Sequence, residues 1–233
     1  MIIEENNEFI QGKVLLFDKP YTWSSFRLVK KIKYLIEKNH NTGKIKVGHA
    51  GTLDPLATGL MILCTGKATK KISEFQDLEK EYVATIELGK TTPSFDNETA
   101  VDVVFESSHI TEKLFVQTLN QFIGHISQVP PIYSAKNVKG ERAYKLARKG
   151  KSFHLEPAKI FIREIELLEH RFPVVKIRIV CSKGTYVRAL ARDIGIALKS
   201  GAYLTGLVRT RIGGYKLEQA VKIEDFEEKT NKI

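Results

Sequence analysis

The chain contains 233 residues, of which 42% are hydrophobic and 27% are charged. This composition is typical of a folded globular protein and excludes a disordered or collagen-like one. The longest apolar runs, such as residues 60–64, are far too short to span a membrane, and the acidic start at residues 1–5 is unlike a signal peptide. We therefore expect a cytoplasmic protein with a sizeable core, built as one large domain or as one domain with a small appendage.

The net charge of +10 is unevenly placed along the chain. Residues 140–233 contain 20 Lys and Arg against 11 Asp and Glu, whereas residues 91–139 contain 3 against 5. A basic end beside a weakly acidic middle favours a surface for a polyanion such as nucleic acid. A solvated lysine-rich surface would give the same counts, so charge alone leaves both interpretations open.

The two cysteines, Cys64 and Cys181, lie in apolar, strand-like segments. Neither belongs to a CxxC pair, and the six histidines show no HxH or HxxxH spacing. We predict that both thiols pack as small hydrophobic groups in a reducing compartment, with no disulfide framework and no metal site.

The first predicted elements are a strand at residues 14–17 and a helix that Ser24 or Ser25 can cap. The helix ends within residues 39–43 and carries Arg and Lys on its outer faces. The apolar residues at helical spacing, which we expect to face the core, are Phe26, Val29, Ile32 and Ile36.

A glycine-rich turn follows at residues 48–60 and leads into the apolar run 60–64, which predicts a buried strand. The turn contains one histidine, His49, and one carboxylate, Asp54, where the backbone can approach another group closely. Asp before Pro and isolated glycines are also ordinary turn chemistry. Taken alone, the turn favours a plain loop over a functional site.

The rest of the chain mixes helices and strands without a strict βα order. Thr111 can cap a helix, and Pro130 with Pro131 excludes a central strand over residues 129–136, because proline donates no ladder hydrogen bond. The mixture predicts an α+β fold with a largely antiparallel sheet flanked by helices. In order, we expect a basic helix ending near residue 76, a strand at 82–89, a loop at 91–102, helices at 111–122 and 142–149, strands at 160–168 and 174–181, a helix ending near residue 198, a strand at 203–211 and a helix at 223–228.

Three residues stand out for their chemistry. Asp54 is the single acid of its turn, Tyr82 begins a strand, and Arg188 opens a helix after a Gly-Thr-Tyr sequence. A carboxylate beside a guanidinium group stays ionised at neutral pH, so it can act as a nucleophile. Separately, the three are equally well explained as a turn cap, a half-buried strand aromatic and a surface helix residue.

Residues 48–61 match the motif GHxGTLDPxAxGxL at every specified position except the last, where Met61 replaces Leu. In this motif the chain resembles the TruB family of tRNA pseudouridine synthases. Other pseudouridine synthase families show GRLD around the same acid, so Thr52 points to the TruB branch in particular. A match over so long a motif is far more specific than a short glycine pattern.

Five further segments resemble elements of the same family, in the family's order. They are residues 19–25 (KPxGxTS), 80–82 (KxY), 130–135 (PPxYSA), 140–148 (GxRAYxLAR) and 181–188, the last followed by Asp193, Gly195 and residues 207–209. Three features depart from the family pattern. Thr22 replaces the usual Gly beside Trp23, Lys136-Asn137 replaces the usual Leu-Lys, and no separate C-terminal PUA domain is evident.

The resemblance implies one pseudouridine synthase catalytic domain over residues 1–233, acting on the tRNA T-stem-loop as a monomer, with no cofactor, no metal and no required protein partner. The reaction isomerises the T-loop uridine at tRNA position 55 after this base has been flipped out of the folded loop. By the same resemblance Asp54 is the nucleophile, Arg188 is its ion-pair partner and Tyr82 stacks on the uracil. The residues implied in substrate binding are His49, Leu207, Lys19, Tyr186, Gly51 and Thr52.

Two alternatives remain open at this point. The first is a tRNA-binding or tRNA-folding module that keeps the architecture without catalysis, and the presence of Asp54, Tyr82 and Arg188 argues against it. The second is a pseudouridine synthase that acts on a different RNA, guided by partner proteins as in archaeal and eukaryotic relatives. Modification mapping of total RNA from a deletion strain would separate this second alternative from action on tRNA.

Overall fold

A computed structural model describes residues 8–40, 42–134, 136–138 and 140–231. The acidic start at residues 1–5, and Ala135 at the end of the PPxYSA-like segment, lie outside the described residues. The helices are α1 Glu8–Gln11, α2 Ser25–Asn39, α3 Ile72–Asp77, α4 Glu112–Asn120, α5 Ala143–Arg148, α6 Val187–Ala197 and α7 Ile223–Asn231, with 3-10 turns at Gly66–Lys71 and Leu217–Gln219. The strands are β1 Val14–Lys19, β2 Val47–His49, β3 Ala57–Thr65, β4 Lys80–Leu88, β5 Lys90–Thr91, β6 Val103–Val104, β7 Gly124–Gln128, β8 Asn137–Val138, β9 Glu141–Arg142, β10 Ala158–Arg171, β11 Val174–Cys181, β12 Ala202–Ile212 and β13 Tyr215–Lys216.

The chain forms two compact units, residues 1–82 with 208–233 and residues 83–207. The residues of β4 and of β12 are divided between the two units. Compact units need not be separate domains, so the single catalytic domain expected over residues 1–233 stays a prediction.

In the first unit, the apolar strand β3 is almost wholly buried. It pairs antiparallel with β1 and with β2, and all of its residues except Thr58 are buried. This confirms the buried strand predicted at residues 60–64, and Cys64 is buried in it as predicted. The strand starts immediately after the Asp54 turn, so the turn is attached to the most buried element of its unit.

Helix α2 begins where predicted, because the Ser24 side chain accepts a hydrogen bond from the Arg27 backbone N–H at 3.1 Å. Its predicted inward face was partly wrong. Phe26 is 74% exposed, since the buried stripe starts at Ser25 and each further residue turns the side chain by about 100°. The buried residues of α2 are Ser25, Leu28, Ile32, Leu35 and Ile36.

In the second unit, β10 pairs antiparallel with both β11 and β7. The strands predicted at residues 160–168 and 174–181 therefore form one hairpin, and Cys181 is buried at its end. Helix α6 approaches the start of β12 as closely as glycine permits, because a Cβ on Gly195 would lie 2.4 Å from the Ala202 nitrogen. This close contact fixes the helix that carries Arg188.

Most other predicted elements are also present. Thr111 caps α4 by accepting from the Leu114 N–H at 3.2 Å, and the described residues of 129–136 contain no strand. The predictions missed α1, β2, β7 and the two-residue strands. Elements this short show little or no sequence period. In the described part of the chain, every helix is too short or too polar to cross a membrane.

Candidate active site

The loop that carries Asp54 is fixed by hydrogen bonds on both sides of this residue. Before it, the Ser25 hydroxyl accepts from the Leu53 N–H at 2.8 Å and donates to the Leu53 carbonyl at 2.9 Å. After it, the Ala57 N–H donates to the Asp54 carbonyl at 3.1 Å and closes the turn into β3. One hydroxyl thus satisfies both backbone groups of Leu53 and ties the loop to the first residue of α2.

Lys19, the last residue of β1, lies against the same loop and is 0% exposed. Its Nζ donates to the carbonyls of Trp23 at 2.6 Å, Pro20 at 3.0 Å and Pro55 at 3.5 Å. Burial lowers the pKa of Lys19 to about 8, while the negative charge of Asp54 acts in the opposite direction. At neutral pH Lys19 is therefore mainly protonated and places a buried positive charge beside the Asp54 loop, unlike a solvated turn lysine.

Lys19→Met is expected to change the pH dependence of stability above pH 8. The pKa of Lys19 is about 8 in the folded protein, against an ordinary 10.5, so the unfolded chain binds more protons between these values and wild-type stability rises with pH there. Relative to the variant, the wild-type free energy of unfolding should gain up to about 1.4 kcal/mol per pH unit. Urea unfolding of both proteins across this range measures the difference, and parallel pH curves would contradict it.

Arg209 in β12 is a second buried cation at this loop, and it is 2% exposed. Its Nε donates to the Leu60 carbonyl at 2.7 Å, and its Nη2 donates to the Gly51 carbonyl at 3.1 Å. Gly59 makes this approach possible, because a Cβ there would lie 2.4 Å from the Arg209 carbonyl oxygen. Gly59 of the motif therefore has a structural role, namely close packing against the Arg209 backbone.

Thr22 occupies the position where the KPxGxTS motif has glycine, and its φ is +68°. A β-branched residue in this left-handed region is strained by about 1–2 kcal/mol. The Thr22 N–H donates to the Pro55 carbonyl at 2.9 Å, immediately after Asp54. Thr22 therefore keeps the left-handed backbone conformation that glycine favours, and its N–H helps to hold the Asp54 loop.

Thr22→Gly is expected to raise the free energy of unfolding by about 0.5–1 kcal/mol, because it relieves the positive φ without removing the backbone donor. Chemical denaturation measures this change. Thr58→Gly is the matched control, since Thr58 lies in β3 without a positive φ and glycine should destabilise a strand. A loss of stability in Thr22→Gly would show that the left-handed conformation carries no strain.

The other predicted site residues of the first unit lie on β2, β4 and the loop itself. His49 ends β2, where its Nδ1 accepts from the Gly51 N–H at 3.3 Å, and burial lowers its pKa so that the ring is neutral at pH 7. Tyr82 in β4 is 9% exposed. Asp54 is half-buried and Thr52 is exposed. Both side chains of the loop can thus be reached from solvent, while the backbone behind them is held by buried groups.

In the second unit, Arg188 is 5% exposed at the start of α6. Its guanidinium donates to the carbonyls of Ser94 at 3.2 Å and Tyr133 at 2.9 Å, and its Nε lies 3.5 Å from the Asp96 carboxylate, which is also buried. Arg188 is therefore not a surface helix residue, which was the alternative that the sequence left open. Its guanidinium is buried and held in one orientation.

Tyr186 precedes α6 and is held by one amide side chain. Gln128, 1% exposed, accepts from the Tyr186 N–H at 2.9 Å and donates to the Tyr186 carbonyl at 3.2 Å. Leu207 in β12 is half-buried, which fits a pocket wall as well as ordinary packing. The backbone at the start of α6 is therefore fixed at both Tyr186 and Arg188.

The predicted residues fall into one group in each unit. The first unit holds Lys19, His49, Gly51, Thr52, Asp54 and Tyr82, and the second holds Tyr186, Arg188 and Leu207. The ion pair between Asp54 and Arg188 stays a prediction. Sequence reasoning missed the supporting residues Ser25, Asp96, Gln128 and Arg209, although Arg209 lies in a segment that matches the family. Within the described ranges, no three His, Cys, Asp or Glu side chains are grouped so as to hold a metal ion.

Two family models match this chain. Residues 38–187 match the N-terminal domain of the TruB family pseudouridylate synthases. Residues 188–232 match the C-terminal domain of tRNA pseudouridylate synthase B. The first match contains the Asp54 loop and the second begins at Arg188, so every predicted site residue except Lys19 falls inside a matched segment.

Curated relatives extend the likeness over nearly the whole chain. A protein of Phocaeicola vulgatus is 59% identical over 220 residues, which are 94% of this chain and 94% of the relative. A protein of Bacteroides fragilis is 58% identical with the same coverage. A protein of Flavobacterium johnsoniae is 52% identical over 95% of this chain and 97% of its own length. All three bear the name tRNA pseudouridine synthase B.

Solved structures confirm the α+β fold. A chain of the Cbf5-Nop10-Gar1 complex matches with a TM-score of 0.72 and 28% identity, over 94% of this chain and 54% of its own. A chain of an H/ACA RNP bound to a substrate RNA containing 2′-deoxyuridine matches with a TM-score of 0.69 and 26% identity, over 97% and 57%. Our chain spans just over half of those two longer chains. Together with the family models and the curated relatives, these matches show that the chain belongs to the TruB family of pseudouridylate synthases.

Proposed function

We propose that the protein is a tRNA pseudouridine synthase that isomerises the T-loop uridine at tRNA position 55, with Asp54 as its nucleophile. The observation that carries the proposal is the held backbone of residues 48–60. This segment matches the family motif at every specified position from Gly48 to Gly59, and hydrogen bonds from Ser25, Thr22 and Arg209 fix it around Asp54. A carboxylate held in one place meets the geometric requirement for attack on a bound substrate.

The reaction is an isomerisation with no net redox change. The bond between C1′ and N1 breaks, the uracil turns, C1′ bonds to C5, and the C5 proton leaves while N1 gains one. The Asp54 carboxylate adds either to C1′ or to the base and leaves again, so that one difficult substitution becomes two easier steps. The electrons balance within the nucleotide, and we therefore assign no cofactor to the reaction.

The target base must leave a folded loop, which costs about a few kcal/mol of lost stacking and pairing. We assign Tyr82 to stacking on the extruded uracil and His49 to the space that the base vacates. A neutral imidazole suits this role because it adds no buried charge. Leu207 is assigned to the wall of the uracil pocket, where its apolar side chain would exclude water.

The remaining assignments concern charge and RNA contact. Arg188 is assigned as the ion-pair partner of the Asp54 carboxylate, a role that follows from its position in the third family motif. A guanidinium stays protonated when buried, which suits a permanent counter-charge. Tyr186, Gly51 and Thr52 are assigned to contacts with the RNA. We assign Lys19 to the Asp54 loop, which it supports from its buried side.

The substrate and setting follow from the same proposal. We propose that the chain acts on the T-stem-loop of tRNA as a monomeric catalytic domain over residues 1–233, without a required protein partner. A cytoplasmic location is part of this proposal, since tRNA is used there. The solved chains that occur in complexes with other proteins are about twice as long, and their partners are not assigned to this chain.

Tritium release tests the function. Unmodified tRNA transcribed with tritium at C5 of its uridines loses label only where C5 forms the new glycosidic bond. We expect the wild-type protein to release one tritium per tRNA, and to release none from a transcript in which the uridine at position 55 is replaced by cytidine. Equal release from both transcripts would contradict the assigned position, and no release from either would contradict the activity.

A further inference from the structure

The outward face of helix α2 carries an open pocket with an unusual lining. Its volume is about 470 Å³, within the range of small-ligand sites. The lining residues combine aromatic rings with cations and are Trp23, Arg27, Lys30, Lys31 and Tyr34. Arg27, Lys30 or Lys31, and Tyr34 follow one another at spacings of three or four residues, which places them in one stripe along α2, and Trp23 lies just before the helix begins.

The aromatic rings of this pocket are not part of the hydrophobic core. The core side of α2 is formed by Leu28, Ile32 and Leu35, which are at most 1% exposed. Tyr34 on the opposite face is 55% exposed. A large ring that leaves half of its surface in water contributes little to packing, and clustered exposed rings mark binding surfaces.

The charges of the pocket favour a polyanion. Lys31 is neutralised by Glu227 of α7, with 2.7 Å between Nζ and Oε1. Among the residues that the structure describes, no carboxylate pairs with Arg27 or Lys30. Two uncompensated cations beside two aromatic rings suit phosphate and base together, as in proteins that bind unpaired nucleotides.

Trp23 and Arg27 contact each other at one end of the pocket. The Arg27 guanidinium carbon lies 4.0 Å from the centroid of the Trp23 ring, a close cation–π contact. A planar guanidinium beside an indole extends the flat surface on which a base can stack. The adjacent residue Thr22 donates to Pro55 in the Asp54 loop, so this surface lies next to the proposed catalytic loop.

From these contacts we propose that the pocket binds neighbouring nucleotides of the substrate tRNA other than the modified uridine. One base stacks on Trp23, a second base of the same strand stacks on Tyr34, and their phosphates contact Arg27 and Lys30. The identity of the RNA as tRNA rests on the proposed function, whereas the stacking site rests on the pocket itself. An acidic peptide would also find cations here, but the paired aromatic rings favour a base.

Trp23 provides a direct probe because it is the only tryptophan of the chain. Titration of the wild-type protein with an unmodified tRNA transcript is expected to quench the intrinsic tryptophan fluorescence as the base stacks. Fluorescence anisotropy of end-labelled tRNA measures binding independently in the same titration. Binding that saturates by anisotropy without any change in tryptophan emission would overturn the proposal.

Variants on the same helix separate stacking from general effects. Tyr34→Ala and Lys30→Ala are expected to raise the Kd for tRNA about tenfold each, as for one lost stacked base or phosphate contact. Phe26→Ala and Lys33→Ala are the matched controls, because both residues lie on α2 but do not line the pocket. The controls should bind as the wild type does, and kcat at saturating tRNA should be unchanged in all four variants.

The two proposals fail in distinguishable ways. If tRNA is bound and modified while Tyr34→Ala and Lys30→Ala keep wild-type affinity, the pocket is not an RNA site and only this inference falls. If pocket and control variants weaken binding equally, general charge and not stacking explains the affinity, and the inference again falls. If the wild-type protein neither binds nor modifies tRNA, the proposed function itself is wrong.

Discussion

Asp54→Asn is expected to abolish pseudouridine formation while tRNA is still bound. The amide keeps the shape of the side chain but cannot act as a nucleophile, and loss of a nucleophile costs at least about 10³-fold in rate. The backbone of the loop is held by Ser25, Thr22 and Arg209 and not by the Asp54 side chain alone, so folding should be retained. Single-turnover conversion with enzyme in excess over tRNA measures the chemical step apart from binding.

Asp225→Asn is the matched control for this variant. It makes the same chemical change on an exposed residue of the same unit, in the first turn of α7, and should leave the rate unchanged. Substantial conversion by Asp54→Asn, with unaltered binding, would mean that another group carries out the attack. Equal losses in both variants would instead indicate a general effect of net charge.

Arg209→Met is expected to lower the free energy of unfolding by about 3 kcal/mol and to slow turnover. The substitution keeps an apolar stem but leaves the buried carbonyls of Gly51 and Leu60 without their charged donor, and each such loss costs about 1–3 kcal/mol. Because Gly51 lies three residues before Asp54, the loop also loses an anchor. Urea denaturation measures the first effect and single-turnover kinetics measures the second.

Arg211→Met is the control for Arg209→Met, two residues further along β12. The Arg211 side chain is 21% exposed, pairs with Glu79 at 3.1 Å and with Glu81 at 3.7 Å, and donates to the Gly213 carbonyl at 2.8 Å. Partly exposed ion pairs of this kind contribute about 1 kcal/mol or less each. We expect a small loss of stability and normal turnover. If both variants lose stability equally, the two carbonyl contacts of Arg209 do not have the energetic role assigned to them.

Apolar runs and helix-capping residues in the sequence predicted most of the fold. The apolar run at residues 60–64 gave a buried strand, and Ser24 and Thr111 cap the helices they were expected to cap. These features depend on neighbours within a few residues, which a sequence displays directly. The face of α2 was harder, since Phe26 is apolar and yet 74% exposed. Hydrophobicity alone cannot distinguish a core ring from a ring kept at the surface.

The side chains that hold the Asp54 loop could not be predicted in the same way. Arg209 donates to the Gly51 carbonyl, which is 158 residues away in the sequence. Lys19 donates to backbone carbonyls, and the position of a carbonyl cannot be read from the residue type that carries it. Motif matching located Asp54 in its loop. Only the three-dimensional contacts show that two buried cations and the Ser25 hydroxyl hold this loop in place.

Mapping of pseudouridine along an unmodified tRNA transcript, after parallel incubation with the wild-type protein and with Asp54→Asn, tests the central claim most directly. We predict complete conversion of the uridine at position 55 by the wild type, and no conversion at any position by the variant although it binds the transcript. Conversion at position 55 by Asp54→Asn, or conversion by the wild type only at other uridines, would contradict the account.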